Sequence, residues 1–250
     1  MTLDGQTILV TGATGDIGRA ICTALVGQGA RVVIHYGRSR DAAESLLDAL
    51  GGRGWCLCAD LADPHGATAL WQSAEEAAGR ITGLVNNAGI RSEVPLEAAL
   101  PDWQAVWNRE FRVNFLAAVD LCRSAVLHFR ANGGGRIVNM ASRAGQRGYA
   151  SNAMAYGATK AALINLTKSL AQSHGHEGIV TVALAPGWVR TGMAEAYVAQ
   201  HGPAAALAGI PVGAMATTGE IGDLVAFVCR TDQISLNGAV LDVNGGSYLR

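Results

Sequence analysis

The sequence predicts an α/β fold, a single domain built on a doubly wound parallel sheet of about seven strands with helices on both faces. Three observations predict it. Short apolar runs alternate with amphipathic stretches almost to the C-terminus, the pattern of repeated strand–helix units. The runs are nearly continuous in apolar residues rather than alternating, as strands covered on both faces require. No Pro/Ser-rich linker or internal repeat divides residues 1–250, a length suited to one core. Right-handed crossovers then wind the sheet in two directions.

The elements follow in order. A strand at Thr7–Val10 leads through a glycine-bearing loop into a helix at 17–28. Strands at Arg31–Tyr36 and 55–59 flank a helix at 41–50, and the C-x-C of Cys56 and Cys58 reads as core residues of the third strand. A helix at 67–78 precedes the strand Gly83–Asn86; a long helix at 102–130 precedes the strand 136–141. After a helix at 154–173 come strands at 179–184 and 239–243. The segment 191–211, rich in Ala and Gly, has no strand partner. Loops at the carboxyl ends of such strands host ligands, so it is expected to be a substrate lid.

Bulk properties exclude several classes. A formal net charge of -1 and the lack of a basic stripe argue against a nucleic-acid or membrane-surface partner. The N-terminus lacks the basic region of a secretory signal, and no apolar run reaches the roughly 18 residues a membrane span needs. Five cysteines without framework spacing suit a reducing cytoplasm. His174 and His176 have no third ligand at a recognisable spacing, so they read as a solvated helix end rather than a metal site.

The stretch VTGATGDIGRA joins the first strand to the first helix. Glycine permits positive φ and close approach of backbone to a phosphate, and the helix N-terminus adds oriented N–H groups. The fingerprint G-x-G-x-x-G is absent, so a phosphate cradle and a plain tight turn both remain open on the loop alone.

Four further motifs stand in order: LVNNAG (84–89), IVNMAS (137–142), YGATK (156–160) and APGWVRT (185–191). With the glycine loop they resemble the short-chain dehydrogenase/reductase family over essentially the whole length, in its compact single-domain branch of Rossmann type. The tail GAVLDVNGG and the stretch IPVGAMATTGEIGDLVAFV look most like 3-oxoacyl-carrier-protein reductases and related carbonyl reductases. The loop departs from that branch, since glycine stands at Gly15 and the usual glycine position holds Asp16.

The resemblance implies a nicotinamide cofactor and hydride transfer between a carbonyl and a secondary alcohol. It implies that Gly12, Thr14, Gly15, Asp16, Ile17 and Gly18 form the phosphate cradle. Asp60 and Leu61 would meet the adenine, Asn87, Ala88 and Gly89 would pass beneath its ribose, and Pro186, Gly187, Val189 and Thr191 would meet the carboxamide. Tyr36 stands where users of NAD(H) carry an acid, and Arg38 and Arg40 follow, which favours the 2′-phosphate of NADP(H) while leaving NAD(H) possible.

The chemistry asks for a proton donor at the carbonyl oxygen. A tyrosine can serve once its pKa falls from about 10 toward the working pH. Tyr156 is the one tyrosine with lysine four residues on, Lys160, where a helix places an ammonium on the same face. Only two of the 19 Lys and Arg residues are lysines, so Lys160 is written where a compact ammonium is wanted. Ser142 lies fourteen residues earlier at a strand end, one more than the usual family spacing, and can hydrogen-bond the substrate oxygen; Ser151 is a rival hydroxyl. The resemblance makes Asn114 the anchor of a water that links Lys160 to solvent; on its own, a mid-helix asparagine equally marks a kink.

The leading expectation is an NADP(H)-dependent reductase of a ketone or 3-oxo group. An NAD(H)-dependent dehydrogenase of a sugar or secondary alcohol is the alternative, and a nucleotide sensor without catalysis is the third. Few basic residues flank FRANGGGR and SLAQSHGH, so a free small molecule rather than an acidic carrier protein is the expected partner. Arg91, Arg143 and Arg147 either meet an anionic substrate or face water. The apolar faces of helices 102–130 and 154–173 exceed what one sheet face needs, and the resemblance implies a homotetramer through them.

Overall fold

The structure is a computed structural model that describes residues 2–249. Its strands are β1 (Thr7–Val10), β2 (Arg31–Tyr36), β3 (Gly54–Cys58), β4 (Gly83–Asn86), β5 (Gly135–Met140), β6 (Ile179–Pro186) and β7 (Val240–Val243). They form one sheet in the order β3-β2-β1-β4-β5-β6-β7, every pairing parallel. The chain leaves the centre twice, first toward β3 and then toward β7. The crevice between β1 and β4 is therefore the switch point, where ligands bind in such sheets.

The helices, in chain order, are α1 (Asp16–Gly27), α2 (Arg40–Ala49), α3 (Gly66–Ala78), α4 (Leu100–Phe111), α5 (Ala117–Ala131), α6 (Ala144–Arg147), α7 (Met154–His174), α8 (Gly192–His201), α9 (Pro203–Leu207) and α10 (Thr218–Val228). Ile21 of α1, Leu46 of α2 and Ile221 of α10 pack with Ile8, Val32 and Val182 on one sheet face. Leu70 of α3 and Leu121 and Phe129 of α5 pack with Leu9, Leu84 and Ile137 on the other. Each such buried side chain contributes about 1.5–3 kcal/mol of transfer free energy. The close pass of α1 against α10 needs Gly222, where an added Cβ would lie 2.6 Å from the Ala20 carbonyl oxygen.

Two expectations need correction. The C-x-C does not sit in the core: β3 is an edge strand, Cys56 is half-buried and Cys58 is exposed. The long helix at 102–130 is interrupted by a π turn at Arg112–Leu116, which separates α4 from α5. The turn centres on Asn114, whose side chain reaches sideways to the Ile90 backbone. The lid segment folds as the short helices α8 and α9. Among the described residues, no helix is long and apolar enough to cross a membrane.

Candidate functional site

A cleft of about 710 Å³ opens at the carboxyl ends of β1, β4, β5 and β6. Its floor is the turn after β1. Gly12 has φ +61, and a Cβ there would press on the Ala88 backbone at 2.9 Å. Asn87 donates from Nδ2 to the Thr11 and Gly12 carbonyls at 2.9 and 3.1 Å, and the Ala88 N–H donates to the Thr11 hydroxyl, so the β4 end and the loop hold each other. Gly15 is the N-cap of α1 and offers no side-chain cap. The first-turn N–H groups of Asp16, Ile17 and Gly18 have no intrahelical partner and border the cleft, as an anion site requires.

Asp16 takes the first helical position, and its carboxylate accepts the Gly192 N–H at 2.8 Å, joining the loop to the start of α8. His35 went unnoticed in the sequence. It is buried near the end of β2, accepts the Gly12 N–H at Nδ1 (3.1 Å) and lies with Nε2 3.1 Å from the Ala59 carbonyl. That pairing fixes the neutral imidazole with the proton on Nε2, and burial holds its pKa below the ordinary value. The available signal was a lone polar residue inside the apolar run RVVIHY.

Ile17, Arg38, Asp60, Leu61, Asn87, Ala88 and Gly89 line one half of the cleft. Pro186, Gly187, Val189 and Thr191 line the other, with Trp188, which lies in the same motif without an expected role, and Met193, which lies beyond it. Tyr36 does not line it: its side chain packs into the core while His35, the residue before it, borders the cleft, because alternate strand residues point to opposite faces; Gly37 and Arg38 border the cleft from beyond the strand end. Arg91, Arg109 and Arg143 also line the wall, whereas Arg147 does not.

The polar side chains converge between β5 and α7. Asn86 Nδ2 donates to Asn139 Oδ1 and Asn139 Nδ2 to the Thr167 hydroxyl, both at 2.9 Å, pinning α7 to the two central strands. Ser142 at the strand end faces the cleft, its hydroxyl accepting the Ala144 N–H at 3.1 Å; Ser151 is exposed and away from it. Tyr156 lines the same wall, its ring 5.6 Å from that of Tyr149. Lys160 Nζ lies 5.6 Å from the Tyr156 ring centre and donates to the Met140 carbonyl at 2.7 Å. Asn114 sits behind them: Oδ1 accepts the Ile90 N–H at 2.7 Å, and Nδ2 donates to the Ile90 carbonyl at 2.8 Å and the Thr159 hydroxyl at 3.2 Å. Asn114, Ser142, Tyr156 and Lys160, the four candidates for the chemistry, are thus brought together.

The protein alone does not lower the phenol, contrary to the sequence expectation. Burial pushes Tyr156 up to about 12, against a downward pull from the Ser142 hydroxyl. Burial likewise brings the Lys160 ammonium down to about 8. Desolvation is the largest influence on both groups, and the ammonium is turned to the Met140 carbonyl. Among the described residues, no group of three or more His, Cys, Asp or Glu side chains could hold a metal.

Comparison with known proteins identifies the family. The family model for short chain dehydrogenases matches residues 6–202. The 3-oxoacyl-[acyl-carrier-protein] reductase of Salmonella typhimurium is 34% identical over 249 residues, covering 100% of both chains. A hydroxynaphthalene reductase-like protein of Metarhizium guizhouense is 33% identical, covering 98% of this chain and 96% of its own. Among solved structures, a protein provisionally named NAD(P)-dependent gluconate 5-dehydrogenase from Beutenbergia cavernae superimposes with a TM-score of 0.89 at 35% identity, covering 98% of each chain, with NADP bound at low occupancy. A provisionally named 2-deoxy-d-gluconate 3-dehydrogenase from Agrobacterium tumefaciens, also with bound NADP, gives 0.88 at 32% identity, covering 98% of this chain and 97% of its own. A sheet with its switch point over a glycine cradle, a tyrosine and a lysine one turn apart, and a family match over most of the length lead to one conclusion: the chain belongs to the short-chain dehydrogenase family.

Proposed function

We propose that this member of an oxidoreductase family is an NADP(H)-dependent reductase that converts a ketone or 3-oxo group to a secondary alcohol, with Tyr156 as the proton donor. The observation that carries the reading is the shared wall of Ser142 and Tyr156 with Lys160 one helical turn on, beside a cradle that only glycine can line at Gly12 and Gly18. The nicotinamide, when bound, supplies the hydride. Ser142 holds the carbonyl oxygen by a hydrogen bond, Tyr156 delivers its proton to that oxygen, and Lys160 restores the proton to the phenolate. Burial keeps the phenol in its protonated, donor form at neutral pH, so proton release must be drawn out by the bound carbonyl and the neighbouring charges. Asn114 steadies the backbone beneath Lys160 by gripping Ile90 on both its N–H and carbonyl.

The cofactor choice rests on Arg38, exposed at the cleft edge beyond β2, and on the NADP found in the two similar structures. Arg38→Ala is expected to raise the KM for NADPH by about 10- to 100-fold, the worth of one charge-assisted hydrogen bond, and to leave that for NADH nearly unchanged. Initial rates with each coenzyme check it; equal losses would remove the 2′-phosphate role. Asp16 works against the same ligand, since its carboxylate stands at the cradle. Asp16→Gly is expected to tighten NADPH binding about three- to tenfold, more at low ionic strength, in a fluorescence titration. Weaker binding would instead make the Gly192 bond the dominant effect.

A panel of ketones, sugar acids and secondary alcohols with both coenzymes tests the whole reading. Ketone-dependent oxidation of NADPH supports it. Turnover confined to alcohols with NAD would favour the sugar or alcohol dehydrogenase, a reading encouraged by the gluconate dehydrogenase relatives. Binding without turnover would leave a sensor. The segment 191–211 acts as the lid in this proposal: Met193 and Ala194 line the cleft, and the Thr191 hydroxyl caps α8. The assembly is a cytoplasmic homotetramer, supported by Leu116 and Leu127, 41% and 49% exposed along the π turn and α5.

A further inference from the structure

One buried acid has no part in the chemistry above. Glu110, near the end of α4, is 0% exposed and stands one turn before Asn114. Its Oε1 accepts a short hydrogen bond from the Ser92 N–H; its Oε2 is shut off from solvent and has no partner. A buried carboxylate with one oxygen unpaired is costly unless a positive charge faces it.

Two cations, Arg91 and Lys160, and the Tyr156 phenol act on this carboxyl. Arg91, on the segment after β4, is engaged by Glu93 and by the Tyr149 hydroxyl. Lys160 and Tyr156 come from α7. Lys160 makes no ion pair among the described residues, only its bond to the Met140 carbonyl. Glu110 and Asn114 grip the same strip of backbone, at Ser92 and Ile90. At Gly89, just before that strip, an added Cβ would lie 3.4 Å from both Lys160 Nζ and Asn114 Oδ1.

We propose that Glu110 is the buried counter-charge of Lys160, a positioning residue that keeps the ammonium protonated and so sets how readily Tyr156 gives up and regains its proton. The proposal rests on the roles given above to Tyr156 and Lys160. Burial lowers Lys160, and Glu110 is the charge that opposes it. Burial raises the Glu110 carboxyl in turn, while Ser92, Arg91 and Lys160 draw it back down. The sign follows: with a neutral side chain at 110, Lys160 loses its proton at a lower pH, and Tyr156 loses its support there.

The chain suits a direct test, because its only lysines are Lys160, buried, and Lys168, exposed. Protein labelled with 13C at lysine Cε gives two signals to titrate, assigned with Lys168→Arg. In Glu110→Gln, the Lys160 midpoint is expected to fall by about one pH unit while Lys168 stays in place. Glu110→Asp, which keeps a carboxylate, returns it toward the native value. The alkaline limb of kcat for carbonyl reduction moves down with it. An unmoved Lys160 midpoint in a folded Glu110→Gln protein would reduce Glu110 to a clamp on Ser92 and overturn the proposal. Should that variant not fold, the native protein decides: the Lys160 signal must shift at acid pH as Glu110 titrates, and a flat acid limb overturns the proposal equally. Absence of any turnover would defeat the reductase reading and leave this titration readable.

Discussion

Tyr156→Phe is expected to lower kcat for carbonyl reduction by about 10²- to 10⁴-fold, the usual worth of a positioned general acid, while NADPH still binds. Phenylalanine keeps the ring that packs 5.6 Å from Tyr149 and removes only the hydroxyl beside Ser142. The remaining polar groups cannot take over. The Ser142 hydroxyl is an alcohol of far higher pKa, and the Lys160 ammonium is turned to the Met140 carbonyl. NADPH fluorescence separates binding from chemistry, and single-turnover rates separate the proton step from product release. Retention of most of the turnover would show that water or another group supplies the proton. The residual rate also reports on Ser142, which still polarises the carbonyl in the variant.

The sequence and the structure agree most closely where chemistry demands a residue type at a fixed spacing. Lys160 four residues after Tyr156 was legible because a helix completes just over one turn in that interval. The parallel, doubly wound sheet followed from alternation and crossover handedness, while its strand order came only from the structure. What the sequence could not carry is the balance of environments. Spacing brought an ammonium near the phenol, but only the packed structure reveals how strongly burial acts on both groups. The π turn centres on Asn114, which holds the Ile90 backbone, a contact 24 residues away along the chain. Glu110 looked like any polar position on an amphipathic helix until α7 and the segment after β4 closed around it. Asp16 read as an anomaly in the cradle, and its partner, the Gly192 N–H, lies 176 residues later.

The two inner glycines of the opening loop make the last prediction, a matched pair. A methyl at Gly18 would sit 2.3 Å from the Gly12 carbonyl oxygen and 2.7 Å from Ala13 Cα, all backbone atoms of the cradle itself. Nothing there is a flexible side-chain end, so α1 must move away from β1 or the cradle must open. A methyl at Gly15 meets nothing nearer than 3.6 Å, and its φ of -76 suits any residue. Gly18→Ala is therefore expected to cost about 1–3 kcal/mol of stability through overpacking, with Tm falling about 2–4 °C for each kcal/mol. Displacing the first-turn N–H groups from the phosphates by an ångström costs on the order of 10²-fold in kcat/KM for NADPH. Gly15→Ala gives up only the N-cap preference for glycine over alanine, about 0.5–1 kcal/mol, and keeps kinetics much closer to native than Gly18→Ala does. Thermal unfolding with and without NADPH reads both effects at once: Gly15→Ala retains the rise in Tm that the coenzyme gives, and Gly18→Ala loses it. Equal behaviour of the two variants would mean that the loop holds its ligand without the close helix–strand approach, and the cradle assignment would fall.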